Sequence, residues 1–219
     1  MLTLTIIQKI AVWTIPLLLA ITLHEAAHAW AANRLGDNTA KALGRLSFNP
    51  FHHIDPIGTL CVPILIGILS QFSFIFGWAK PIPINWHQLN DPKRDIALVA
   101  VAGPLANILM AIIWMAVFKI AINFNPHEST IALFFLLSAQ AGLLINLILA
   151  IMNLLPIPPL DGSRILVSML SPKQAATYLK IEPYGFMILL LLCVTGILGW
   201  LLNPALIGCL QLLEIIFNP

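Results

Sequence analysis

Residues 22–30 read TLHEAAHAW, and they place His24, Glu25 and His28 inside a run that is otherwise almost wholly apolar from Ile10 to Ala32. About 20 such residues suffice to cross a bilayer as a helix. A charged or chargeable group at that depth is costly unless it is paired, coordinated or set against a water-filled cavity. Any fold for this chain must therefore gather these three side chains inward. On an α-helix, positions i and i+4 share a face, so both imidazoles can converge on one metal ion. The pattern is H-E-x-x-H, in which two histidines bind zinc and the glutamate serves as general base.

Composition agrees with a membrane setting. Of 219 residues, 59% are hydrophobic and 9% are charged, against about 25% charged in a soluble domain. The expected class is an all-α polytopic membrane protein. A net charge of +2 points to neither nucleic acid nor an acidic partner. Cys61, Cys193 and Cys209 are odd in number and lie in apolar segments, so they read as small core residues rather than a disulfide framework. The first apolar run continues through the histidine motif without a small-residue cleavage site, so it is expected to be retained as a membrane helix.

Taken in order, residues 10–33 form a first span, with Pro16 placed to bend it and Arg34 and Gly36 to end it. A polar loop follows, in which His52, His53 and Asp55 resemble a second metal cluster but sit between Pro50 and Pro56 as in an ordinary loop. Residues 57–76 are apolar but interrupted by Gly58, Pro63, Gly67 and Gln71, which suits a re-entrant segment. GWAKPIPIN, 77–85, alternates apolar residues with proline and so fits an edge strand but not a central one. Strong spans are expected at 96–118, containing AGPLAN at 102–107, and at 131–154. The latter must stop at NLLPIPPLDG, 153–162, where three prolines remove donors and clash with the preceding turn. A short helix is expected over 162–170, and an apolar region over 184–217 broken by Asn203 and Pro204. No repeat or separate soluble domain is evident, so 1–219 reads as one membrane domain, with a core at about 10–170.

Charge orients these spans. Loops 34–56, 77–95 and 155–183 carry nine of the eleven basic residues. They share one face only if 57–76 re-enters, and the positive-inside rule makes that face cytosolic. The expectation is an outside N-terminus, a first helix running inward and a multi-pass protein of a cell membrane. His28 and His24 then lie six and ten residues before Arg34, about 9 and 15 Å from the cytosolic boundary. NLLPIPPLDG ends the third span near the same face. Zinc needs a third protein ligand, with the fourth position left to water. Asp161 is the best candidate, because it follows a helix break; its other reading is an N-cap for the helix after it. Glu128 falls in a loop assigned to the far face, and Glu182 and Glu214 lack comparable motifs.

With HEAAH at 24–28, AGPLAN at 102–107 and NLLPIPPLDG at 153–162 in this order, the chain resembles the site-2 proteases, zinc metalloproteases that cut peptide bonds within membranes. The resemblance covers roughly residues 10–170 and is nearest to short prokaryotic members without a PDZ domain. Ser163 departs from it, standing where many relatives have a second glycine. It implies one Zn²⁺ per chain held by His24, His28 and Asp161, with Glu25 as catalytic acid/base and an active site facing the cytosolic side of a prokaryotic inner membrane. It implies substrates that are transmembrane segments of other proteins in the lipid bilayer, and a short membrane-embedded β element between the first two core helices. Asn153 could orient substrate or donate to the oxyanion, or could equally cap its helix. Gly103 and Pro104 would let the second span approach the HEAAH helix, and Asn107 would make an interhelical hydrogen bond. Ile82 and Ile84, on the edge-strand candidate, would pair with an unwound substrate. The rival class is a zinc- or proton-coupled transporter. It has no need of a base fixed beside the ligands.

Overall fold

The computed structural model describes residues 5–53, 55–61, 65, 80–126 and 128–217. Eight α-helices carry the architecture of these residues: α1 Ile6–Arg34, α2 Thr39–Ala42, α3 Pro92–Ile122, α4 Thr130–Asn153, α5 Asp161–Met169, α6 Pro172–Tyr178, α7 Gly185–Val194 and α8 Ile197–Phe217. No strand occurs among the described residues. Five helical stretches are long and apolar enough to cross a membrane: Ile7–Arg34, Pro92–Ile122, Thr130–Asn153, Pro172–Val194 and Ile197–Phe217. The chain is an all-α, multi-pass membrane protein.

The three long helices α1, α3 and α4 each begin at a polar side chain that satisfies one of the first free amides. Thr5 and Gln8 form a reciprocal capping box on α1. Asp91 accepts from the Arg94 amide ahead of Pro92 on α3, and Ser129 accepts from the Ala132 amide on α4. These caps lie outside the apolar runs, which is why α1 and α3 start four residues before the hydropathy reading places them. Pro16 stays inside α1 with its side chain fully buried. At the other end Leu35 closes the helix, and Gly36 turns the chain with φ +112°. Arg34 there lies 5.5 Å from the ring centre of exposed Trp30, a pairing suited to the membrane boundary.

Lipid tails are as apolar as leucine, so helices in a membrane associate through close packing and hydrogen bonds. The buried surface fits that rule. Ala20, Ala29, Ala32, Ala111 and Ala139 are fully enclosed, whereas Ile10, Leu105, Leu109 and Ile120 point outward. α3 lies at the centre, packed on α1, α4 and α5.

The structure corrects the C-terminal reading. α8 runs unbroken through Asn203 and Pro204, and the break comes at Gly196, whose φ of +76° turns the chain between α7 and α8. A proline within a membrane helix is tolerated where neighbours satisfy the freed carbonyl, so Pro204 is not a stop. The re-entrant reading of 57–76 falls largely outside the described residues; of it, 57–61 belong to a short π-helix, Pro56–Cys61. Residues 80–85 form neither helix nor strand. Cys61 is exposed rather than in a core, while Cys193 and Cys209 are partly buried.

Candidate metal centre and active site

One turn of α1 presents His24 and His28 on the same buried face, with their Nε2 atoms 3.0 Å apart. Asp161, the first residue of α5, completes a triangle. Its Oδ2 lies 3.2 Å from His24 Nε2 and 3.3 Å from His28 Nε2. The turn before it explains how a carboxylate reaches that point. The prolines stop α4 at Asn153, and Leu160, not Asp161, occupies the N-cap position, so the aspartate is not spent on capping its own helix. Gly162 must lack a side chain, because a Cβ there would strike the carbonyls of Leu154 and Leu155. Ser163, the departure from the motif, is buried and donates from Oγ to the Leu160 carbonyl at 2.6 Å, which braces the turn.

The other nitrogens of the two rings determine what faces the triangle. His28 Nδ1 lies 2.8 Å from the Val99 carbonyl, which can only accept, so Nδ1 carries the proton. His24 Nδ1 lies 2.6 Å from Asn107 Oδ1 and donates likewise. In the neutral rings each Nε2 then points a lone pair at the centre. With both rings neutral, two lone pairs and a carboxylate oxygen converge on one point, and Asp161 Oδ2 is buried without a hydrogen-bond partner. Such a cluster of acceptors repels itself unless a cation sits within it. Tetrahedral ligands 2.0–2.1 Å from zinc stand about 3.3–3.4 Å apart, close to the observed triangle. Among the described residues this is the one group of three or more histidine, cysteine or acidic side chains placed to hold a metal.

Glu25, the next residue on α1, turns its carboxylate toward the segment 80–85, where Oε2 accepts the Ile82 amide at 3.1 Å. The same segment is fixed at both ends. The Lys80 amide donates to the His53 carbonyl at 3.0 Å, and the Asn85 amide donates to buried Asp37 at 2.7 Å. Arg45 donates to the Lys80 carbonyl. A cavity of about 920 Å³ opens over the triangle, lined by Glu25, Ile82, Ile84, Asn153 and Arg164 together with Phe186 of α7 and Leu202 of α8. Asn153 donates from Nδ2 to the Leu149 carbonyl at 3.0 Å, within its own helix. Leu154, not Asn153, is the C-cap.

The second cluster is an ordinary loop. His53 is buried and bonds the Ser47 carbonyl through Nε2 at 2.9 Å, His52 does not converge with it, and Asp55 accepts the amides of Ile57 and Gly58. Gly103 behaves as its motif suggests: a Cβ there would collide with the rings of both His24 and His28.

The chain is 36% identical over 214 residues, 94% of its length and 92% of the relative's, to YwhC of Bacillus subtilis (strain 168), provisionally named a zinc metalloprotease. The profile of peptidase family M50 matches residues 119–196, which include the Asp161 turn. The chain belongs to that family. Rip2 of Mycolicibacterium smegmatis, which bears the same provisional name, is 31% identical over 83% of this chain and 66% of its own length. A zinc metalloprotease of Methanocaldococcus jannaschii is 28% identical over 78% of this chain and 37% of its own. No solved structure matches the chain. As an M50 peptidase with several membrane-crossing helices, the protein is a membrane zinc metalloprotease and not the transporter of the rival reading.

In this peptidase, sequence patterns reveal the residues that form the triangle but not those that orient it. Val99 contributes a backbone oxygen, which leaves no trace in a sequence. Asn146, which bonds Asn107 at 2.9 Å, sits in a plain apolar run with no neighbouring motif.

Proposed function

We propose that the protein is an intramembrane protease that cuts transmembrane segments of other membrane proteins at a single zinc held by His24, His28 and Asp161. The observation that carries this reading is the triangle of three potential ligand atoms beside Glu25 in one cavity. Bound there, zinc would polarise the scissile carbonyl and make a water acidic enough to attack at neutral pH. Glu25 takes the proton from the attacking water and returns it to the leaving amine. Its bond from the Ile82 amide holds the carboxylate toward the cavity rather than toward lipid.

A transmembrane helix hides its carbonyls in its own hydrogen bonds, so several residues must unwind before attack. Unpaired backbone in hydrocarbon costs several kcal/mol per group, and an extended segment beside the site can supply partners. Residues 80–85 suit that task. They are anchored at both ends, while the Ile84 amide and the carbonyls of Ile82 and Ile84 make no hydrogen bond among the described residues. Asn153, at the cavity wall, orients the substrate carbonyl through its remaining amide capacity. The whole chain, 1–219, acts as one protease domain. Its C-terminal helices roof the core of about residues 10–170, its N-terminus is outside, and its active site opens to the cytosolic side of a prokaryotic cell membrane.

The test is cleavage of a membrane-embedded substrate by the purified protein and its Glu25→Gln variant. The variant should keep zinc and lose cleavage. Undiminished cleavage would remove Glu25 from the mechanism.

A further inference from the structure

We propose that Asn146 is a positioning residue for the metal site, acting on His24 through Asn107. Both asparagines are fully buried, and Asn107 meets His24 at Nδ1, not at the Nε2 that faces Asp161. Their amides can be oriented without ambiguity from the backbone outward. Asn146 sits near the Gly142 carbonyl of its own helix at 2.8 Å, and a carbonyl only accepts, so Asn146 Nδ2 donates there and its Oδ1 faces Asn107. Asn107 Nδ2 then donates twice, to Asn146 Oδ1 at 2.9 Å and to the Ala20 carbonyl at 3.2 Å. With both amide protons used, Asn107 turns Oδ1 to His24 at 2.6 Å. His24 must meet that oxygen with a protonated Nδ1, which leaves the Nε2 lone pair for the metal. One polarity thus runs from a carbonyl of α4, through α3, to a ligand of α1.

The two histidines differ in what this requires. His28 takes its orientation from the Val99 backbone carbonyl, which no substitution at 99 removes. His24 depends on side chains alone. Without Asn146, the Asn107 amide loses one of its two acceptors and can rotate, presenting NH₂ to His24 and favouring the tautomer that points its proton at the metal position. Buried asparagines in membrane bundles also serve simply to join helices. A relay makes a different demand, because its effect must pass through Asn107 and must appear at the metal.

This inference rests on the metal reading of His24, His28 and Asp161. The full-length protein in detergent would be titrated with zinc against a competing chelator. Partners of metal-bound histidines carry about 10- to 100-fold in metal affinity, so Asn146→Leu should weaken zinc about 10-fold and Asn107→Leu about 100-fold. The double variant should match Asn107→Leu alone. Asn146→Asp should restore near-wild-type affinity, because a protonated carboxyl buried at 146 donates to Gly142 and accepts from Asn107 as the amide does. Nitrogen-15 spectra of the zinc-free protein should show His24 protonated at Nδ1 in wild type and in Asn146→Asp, and a tautomer mixture in Asn146→Leu. Zinc affinity unchanged in Asn146→Leu would overturn the relay. So would an equal loss in Asn146→Leu and Asn146→Asp, or a further loss on adding Asn146→Leu to Asn107→Leu. Failure of the wild-type protein to bind zinc would instead overturn the metal site itself.

Discussion

Gly103 shows how much the centre depends on single side chains, here on the absence of one. Alanine is favoured over glycine in a helix by about 1 kcal/mol, so Gly103→Ala would ordinarily firm α3. Here its methyl would occupy the space of His28 Nε2 and the edge of His24. Gly103→Ala should therefore lose at least about 10-fold in zinc affinity, in the range of other orienting contacts, while the protein remains folded; metal analysis beside a thermal melt would show the split. That Gly103, His24, His28 and Asp161 would meet, with Glu25 beside them, was legible, because spacing on a helix and a helix-breaking turn restrict where such residues can point. The orienting partners were not. Asn107 was readable only as a contact between helices, since its bond to His24 joins positions 83 residues apart. Val99 acts through its backbone, which any residue would supply.

The long helices were readable from hydropathy to within about a turn, because apolar runs of that length have few alternatives in a bilayer. Their true ends lie at polar caps, Thr5, Asp91 and Ser129, that hydropathy discards. Proline misled at Asn203–Pro204, where membrane helices tolerate it, and the quieter Gly196 made the turn. The segment 80–85 lends itself to a specific test. Ile82 stands between Pro81 and Pro83, in a backbone already confined to extended conformations. Ile82→Pro thus removes the amide donor to Glu25 without forcing a new backbone conformation, and since it also cuts back a buried side chain, Ile82→Ala, which trims that side chain but keeps the amide, is its control. A hydrogen bond to a charged group is worth about 1.5–3 kcal/mol, so Ile82→Pro should cut cleavage about 10- to 100-fold with zinc content intact, and Ile82→Ala should cost less. The defect should also shrink for substrates already weakened by glycine or proline near the cut. Equal losses on stiff and weakened substrates would confine the segment to a structural part.

At the scale of the whole molecule, residues of α7 and α8 close over the cavity that holds the triangle, and the proposed orientation, which rests on the basic loops, would set that cavity below the cytosolic surface. Arg164 of α5 pairs with Glu182 ahead of α7 and lies 5.9 Å from the Trp86 ring centre, joining the Asp161 helix to that roof. Single cysteines at positions 41, 93 and 173, in a background lacking the native three, should label from the cytosolic side, and one at 128 from outside. Labelling of 41 and 93 from opposite faces would mean that 57–76 crosses the membrane. The central claim concerns zinc and its neighbours, and one paired measurement reaches it: zinc content and substrate cleavage on the same preparations of wild type, Asp161→Ala and Glu25→Gln. The account predicts one zinc per chain with cleavage in wild type and little zinc in Asp161→Ala. It predicts full zinc in Glu25→Gln with cleavage reduced by about 10²- to 10⁴-fold, the usual share of a general base. Full zinc and full cleavage in Asp161→Ala would contradict it.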